Sequence, residues 1–108
     1  MYKIDGTTIT LTKGDSFYCQ LTLTKDGETY TPEAEDEIVF GVKKNYTDTT
    51  TVISATIPHD TMTLYIAPEA TKTLSCGSYV YDIQITFADG DIDTFINQAK
   101  FVLVPEVI

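Results

Sequence analysis

The chain has 108 residues, 43% of them hydrophobic and 11% aromatic with no Trp, which is a globular composition and excludes intrinsic disorder. One domain spanning residues 1–108 is expected, long enough to bury about two-thirds of its unfolded surface without a metal or disulfide staple. Sixteen acidic residues against seven basic ones give a formal charge of −9, a field that repels nucleic-acid phosphates and anionic membranes. No apolar run reaches the roughly eighteen residues of a spanning helix, and MYKIDGTT lacks the charged start and apolar stretch of a signal peptide. The expectation is therefore a chain made in the cytoplasm, with no nucleic-acid partner and no membrane insertion.

Taken in chain order, the elements are strands. Thr7 to Thr12 alternates with Ile9 and Leu11 inward and breaks at Lys13-Gly14-Asp15. Ser16 to Lys25 alternates Phe17, Cys19, Leu21 and Leu23 against Tyr18, Gln20, Thr22 and Thr24, and Asp26-Gly27 reverses it. An extended piece follows at Thr29 to Thr31, then the acidic loop Pro32 to Glu37. Glu37 to Lys43 places Ile38, Phe40 and Val42 inward, and the polar loop Lys44 to Thr49 leads to a β-branched strand, Thr51 to Ile57. Pro58, which cannot donate to a ladder, puts that strand at a sheet edge. Met62, Leu64 and Ile66 mark another strand, and Pro68 to Leu74 reads as one or two helical turns opened by proline.

The strongest signal is Tyr79 to Val104. Tyr79, Tyr81, Ile83, Ile85 and Phe87 fill every second position of a half-buried strand. Asp89-Gly90 predicts a two-residue type I′ hairpin, and Ile92 to Val104 returns as the antiparallel partner. The apolar parity changes between Ile96 and Ala99, so a bulge is expected near Asn97-Gln98. These elements describe an all-β fold, an immunoglobulin-like antiparallel β-sandwich of about seven strands with a short helical turn before the Tyr79 strand. A five-stranded OB barrel is the competitor, but it wants fewer strands and a basic or aromatic binding face.

No constellation carries chemistry by its spacing, and the chain is read as non-enzymatic. Asp89, Asp91 and Asp93 lack the glycine and distal glutamate of a calcium loop, and Asp-Gly is already explained as a turn. Glu33, Glu35, Asp36 and Glu37 read as a solvated loop. His59-Asp60 with Ser54 or Ser75 lacks a nucleophile elbow, and Cys76 has only Lys72 nearby to lower its pKa. Cys19, expected to be buried, and Cys76 are read as free thiols, because an immunoglobulin bridge would want its second cysteine two residues after the corner tyrosine. With one histidine and two cysteines a zinc site is not expected, and no metal or cofactor is assigned. The weak lead is an interaction surface of Tyr18, Tyr30, Tyr46 and Tyr65, on outward parity or in loops, since tyrosine is enriched in interfaces.

The segments ITLTKGDSFYCQLTL, DEIVFGVKK, GSYVYDIQITFADGDIDTFI and AKFVLVPEV resemble a family of small proteins encoded in phages and prophages of Gram-positive bacteria. They are similar to the amino-terminal immunoglobulin-like module of phage baseplate upper proteins. Gly14-Asp15 and Tyr79, Tyr81 and Asp82 match the pattern, as fold determinants rather than a site. Those proteins carry a long carboxy-terminal attachment region, whereas this sequence runs to Ile108. The resemblance implies a virion structural or assembly component at the tail or baseplate, made in the host cytoplasm and acting by contact with other virion proteins or further copies of itself. From another class, the same fold suits a carbohydrate-binding or adhesion domain touching a host-surface glycan, which the exposed tyrosines would serve.

Overall fold

Alternating apolar residues with few helix formers leave strands as the way to bury one face of each segment, and strands make up 53% of the chain. A computed structural model describes residues 2–25 and 27–105, and the side chains of all these except 2–5, 25, 97 and 98. In chain order the elements are β1 (Tyr2–Asp5), β2 (Thr8–Thr12), β3 (Phe17–Gln20), β4 (Leu23–Lys25), β5 (Glu28–Tyr30), β6 (Glu37–Lys43), β7 (Ile53–Ile57), β8 (Thr63–Ile66), α1 (Glu69–Lys72), β9 (Gly77–Thr86) and β10 (Ile92–Val104). Six strands form one sheet in the order β1-β2-β10-β9-β6-β7, curled into a half-barrel, and β3-β8 and β4-β5 form two separate ribbons. The sheet is mixed, because β2 runs parallel to β10 while every other pair is antiparallel.

The inner faces of these strands meet in one apolar cluster. From the sheet come Ile9, Leu11, Ile38, Phe40, Val42, Ile53, Ile57, Tyr79, Tyr81, Ile83, Ile85, Ala99, Phe101 and Leu103; from the ribbons come Phe17, Leu64, Ile66 and Leu23. The β3-β8 ribbon thus covers the inner side of the sheet. Full burial of each large side chain contributes roughly 1.5–3 kcal/mol. At the centre the Phe40 ring lies 5.3 Å from Tyr81 and 6.3 Å from Phe101.

Several expectations hold, the first two to the residue. Strands at Glu37–Lys43 and Ile92–Val104, the edge position of β7, and the helical turn after Pro68 are all present. Others need correction. The single strand expected over Ser16 to Lys25 is two, because the pairing with β8 runs out after Leu21, whose N–H still bonds its register partner Met62, and Leu23 then pairs with Tyr30 instead. The strands divide as a six-stranded sheet with two ribbons, so the count among the described residues is ten rather than about seven. The additional strand β1 turns into β2 through Gly6-Thr7, with Gly6 at φ 62°, the positive first position that a type II′ hairpin reserves for glycine. Of the expected Asp26-Gly27 turn, Asp26 lies outside the described residues.

The β9-β10 hairpin also differs from expectation. Gly90 has φ 95° but Asp89 does not have positive φ, so the turn is not type I′. Gly90 N–H donates to Phe87 O and Phe87 N–H to Asp91 O, giving a three-residue loop with glycine in the left-handed position of the G1 bulge. Farther along, β10 carries two one-residue insertions against β9, one between Thr94 and Ile96 and one between Ile96 and Ala99. The second contains the expected bulge at Asn97-Gln98. The first accounts for the outward turn of Ile92, which is 65% exposed.

Thr71, the one described polar residue that is fully buried, ties two loops together. Its hydroxyl accepts the Gly14 N–H at 2.9 Å and reaches the Pro68 carbonyl at 3.4 Å. Thr71→Val keeps the volume but leaves the Gly14 donor unsatisfied, so chemical denaturation is expected to show a loss of about 1–3 kcal/mol. A variant as stable as the parent would mean that Gly14 finds another partner.

Candidate functional site

Two outward surfaces carry the tyrosines. On the β3-β8 ribbon, inward positions go to Phe17, Leu64 and Ile66, and alternation therefore places Tyr18 and Tyr65 outward. The register pairs these two residues directly, with ring centroids 4.6 Å apart and planes at 36°. They remain 57% and 43% exposed, two large aromatic side chains joined into one patch. Gln20 and Thr63 form the adjacent cross-strand pair, and the Gln20 amide donates to the Thr61 carbonyl at 3.4 Å. Partial loss of water, then the neighbouring Tyr18, push the Tyr65 phenol up. This is an exposed patch of uncharged aromatic and polar side chains on a chain that is otherwise strongly acidic.

Tyr30 belongs elsewhere. Its hydroxyl donates to Asp36 Oδ2 at 2.5 Å, the same oxygen accepts the Glu33 N–H at 2.9 Å, and the ring meets Phe87 edge-on at 5.7 Å. Tyr30 and Asp36 therefore organise the acidic loop, and Tyr30 is only half exposed. The hydrogen bond to Asp36, followed by burial and the charges of Asp36 and Glu33, pushes its pKa up to about 12. Tyr81, whose hydroxyl donates to the Thr7 carbonyl, is likewise raised to about 12, by burial first and by Cys19 second. Both groups hold their protons more tightly folded than unfolded. Their contribution is present below pH 10 and is lost as pH rises from 10 towards about 12. An ultraviolet titration is expected to show these two phenols ionising late and together with unfolding; early, independent ionisation of both would contradict the hydrogen bonds described.

Tyr46, 63% exposed, stands on the outer face of the large sheet. It rims a hollow of about 260 Å³ lined by Val39, Gly41, Lys43, Ser54, Asp82 and Gln84 among others. Cross-strand register sets Asp82, Gly41 and Ser54 in one row over β9, β6 and β7. Glycine in a strand interior costs roughly 0.5–1 kcal/mol relative to alanine. The signal that could have drawn attention to this hollow is the isolated Gly41 inside the β-branched run EIVFGVK, together with the polar residues on the wet face of β9.

The remaining candidate groups stay apart from these surfaces. Cys19 is half-buried rather than buried, with its thiol pushed up by burial, and Cys76 is exposed; both are free. The Tyr79 hydroxyl donates to the Ser75 carbonyl at 2.6 Å, and the residue two positions on is Tyr81 rather than cysteine. Asp89 Oδ1 accepts the Asp91 N–H at 2.9 Å, so that carboxylate serves the hairpin. Among the described residues, no three His, Cys, Asp or Glu side chains are grouped to hold a metal, and no helix is long and apolar enough to cross a membrane. No family model, curated protein or solved structure matches the chain.

Proposed function

We propose that the chain is a non-catalytic, immunoglobulin-like interaction module of a phage or prophage particle, associated with the tail or baseplate and acting through protein–protein contacts. The observation that carries the contact role is the Tyr18-Tyr65 pair: two aromatic rings packed against each other yet about half exposed, on a ribbon whose other face is fully committed to the core. Large amphipathic rings held in one geometry lose little entropy on docking, which is why such groups serve as anchors.

The immunoglobulin-like reading is supported by the strand order β2-β10-β9-β6-β7 facing β3-β8, by the parallel β2-β10 pair, and by the Tyr79 hydroxyl closing back on Ser75 as in a tyrosine corner. The particle assignment is supported by the resemblance of ITLTKGDSFYCQLTL and GSYVYDIQITFADGDIDTFI to the baseplate module. Partners would be other virion proteins or further copies of the chain. Quantitative mass spectrometry on particles purified from a host carrying this gene tests it: the chain is expected at fixed stoichiometry to the other tail proteins. Complete, infectious particles without it would overturn the assignment.

A further inference from the structure

Gly41 lies in the middle of β6, between β9 and β7, and nothing in the fold requires a glycine there. Five of the six glycines have positive φ, and Gly41 is the exception. A Cβ at Gly41 would meet only Thr51 Cγ2, at 3.6 Å, an ordinary contact. A glycine in a strand interior leaves its backbone open to close approach by another molecule. Gly41 lines the hollow of about 260 Å³, just below the roughly 300–1,000 Å³ of common small-molecule sites, and so sized for one ring.

The lining fixes the chemistry. Asp82 supplies acceptors, Lys43 donors, and Ser54 and Gln84 both, while Tyr46 offers an exposed ring face at the rim. An acidic and a basic residue line the same hollow, so its lining does not favour an ion of either sign. A ring whose hydroxyls both donate and accept, and whose C–H face can rest on an aromatic ring, matches every one of these groups. We propose that this hollow binds a single saccharide ring, a hexose, deoxyhexose or N-acetylhexosamine, seated over Gly41. The site lies on the outer face of the large sheet, away from the β3-β8 ribbon, and does not rest on the assembly reading.

The test is an amide NMR titration of the full chain with glucose, galactose, rhamnose, N-acetylglucosamine and N-acetylgalactosamine. At least one sugar is expected to give saturable, millimolar shifts confined to Gly41, Lys43, Ser54, Asp82 and Gln84. Gly41→Val puts a side chain into the lining and is expected to weaken that binding at least about tenfold, as a misplaced methylene-sized group does. Asp82→Asn keeps the outline and is expected to weaken it as well, while Glu69→Gln, on α1 and outside the lining, leaves it unchanged. Should Gly41→Val not fold, Gly41→Ala and Asp82→Asn decide. The proposal is overturned if no sugar of the panel moves these resonances saturably, or if the folded variants bind as the parent does; incorporation of the chain into particles is unaffected by either outcome.

Discussion

Truncating Phe40 to alanine is expected to destabilise the domain by about 3–5 kcal/mol, the largest effect of any single substitution described. The ring is fully buried on β6, with β9 and β7 on its two flanks, and it packs against Tyr81 on the neighbouring β9 and Phe101 on β10, one strand farther. Removing it leaves a void that a sheet bound on both sides cannot collapse, so the loss combines transfer and cavity terms. For a domain of this size the melting temperature should fall by roughly 15–25 °C. Against a total stability of about 5–15 kcal/mol, the variant would sit near the limit of folding. Thermal and urea melts check this, and a loss below about 1 kcal/mol would show that the interior is not the tightly packed layer described.

The second large effect concerns contact rather than stability. Tyr18→Ala and Tyr65→Ala are each expected to weaken attachment to particles by about 2 kcal/mol or more, roughly thirtyfold. Because both rings are largely exposed, the same substitutions should change folding stability by no more than about 1 kcal/mol. The rings touch, so their effects should not add, and a double-mutant cycle should return a coupling of about 0.5–1.5 kcal/mol. Sedimentation of the purified chain with particles that lack it measures the binding, and denaturant melts measure the stability. If both variants bind as the parent does, the ribbon face is not the contact surface.

These two effects differ in how far the sequence foretold them. Phe40 was legible because Ile38, Phe40 and Val42 alternate within an uninterrupted run, and a period of two names the inward face directly. The same rule failed at Ser16 to Lys25: alternation continues through Leu21 and Thr22 and tells which side is apolar, yet it says nothing about the partner, which changes there from β8 to β5. Asp89-Gly90 satisfies two turn chemistries, and the backbone angle of Asp89 with the hydrogen bonds of Phe87 distinguishes the three-residue loop from type I′. β1 was missed because four residues before a glycine turn are too few to show a period.

The candidate surfaces were legible only as single residues. Outward parity marked Tyr18, and the same parity marked Tyr65, but that the two rings lie 4.6 Å apart depends on a register between segments far apart in the chain. Tyr30 looked equivalent to them, and its difference comes from Asp36, six residues on, which captures its hydroxyl. The isolated Gly41 is visible in EIVFGVK, but its row with Asp82 and Ser54 depends on the register of three strands.

Acetylation of tyrosine hydroxyls, mapped residue by residue, addresses the contact role most directly. In the free chain Tyr18, Tyr46 and Tyr65 should all react, whereas in the assembled particle Tyr18 and Tyr65 should be protected together. Equal reactivity of Tyr18 and Tyr65 in the free and assembled states would contradict a contact surface built on that pair.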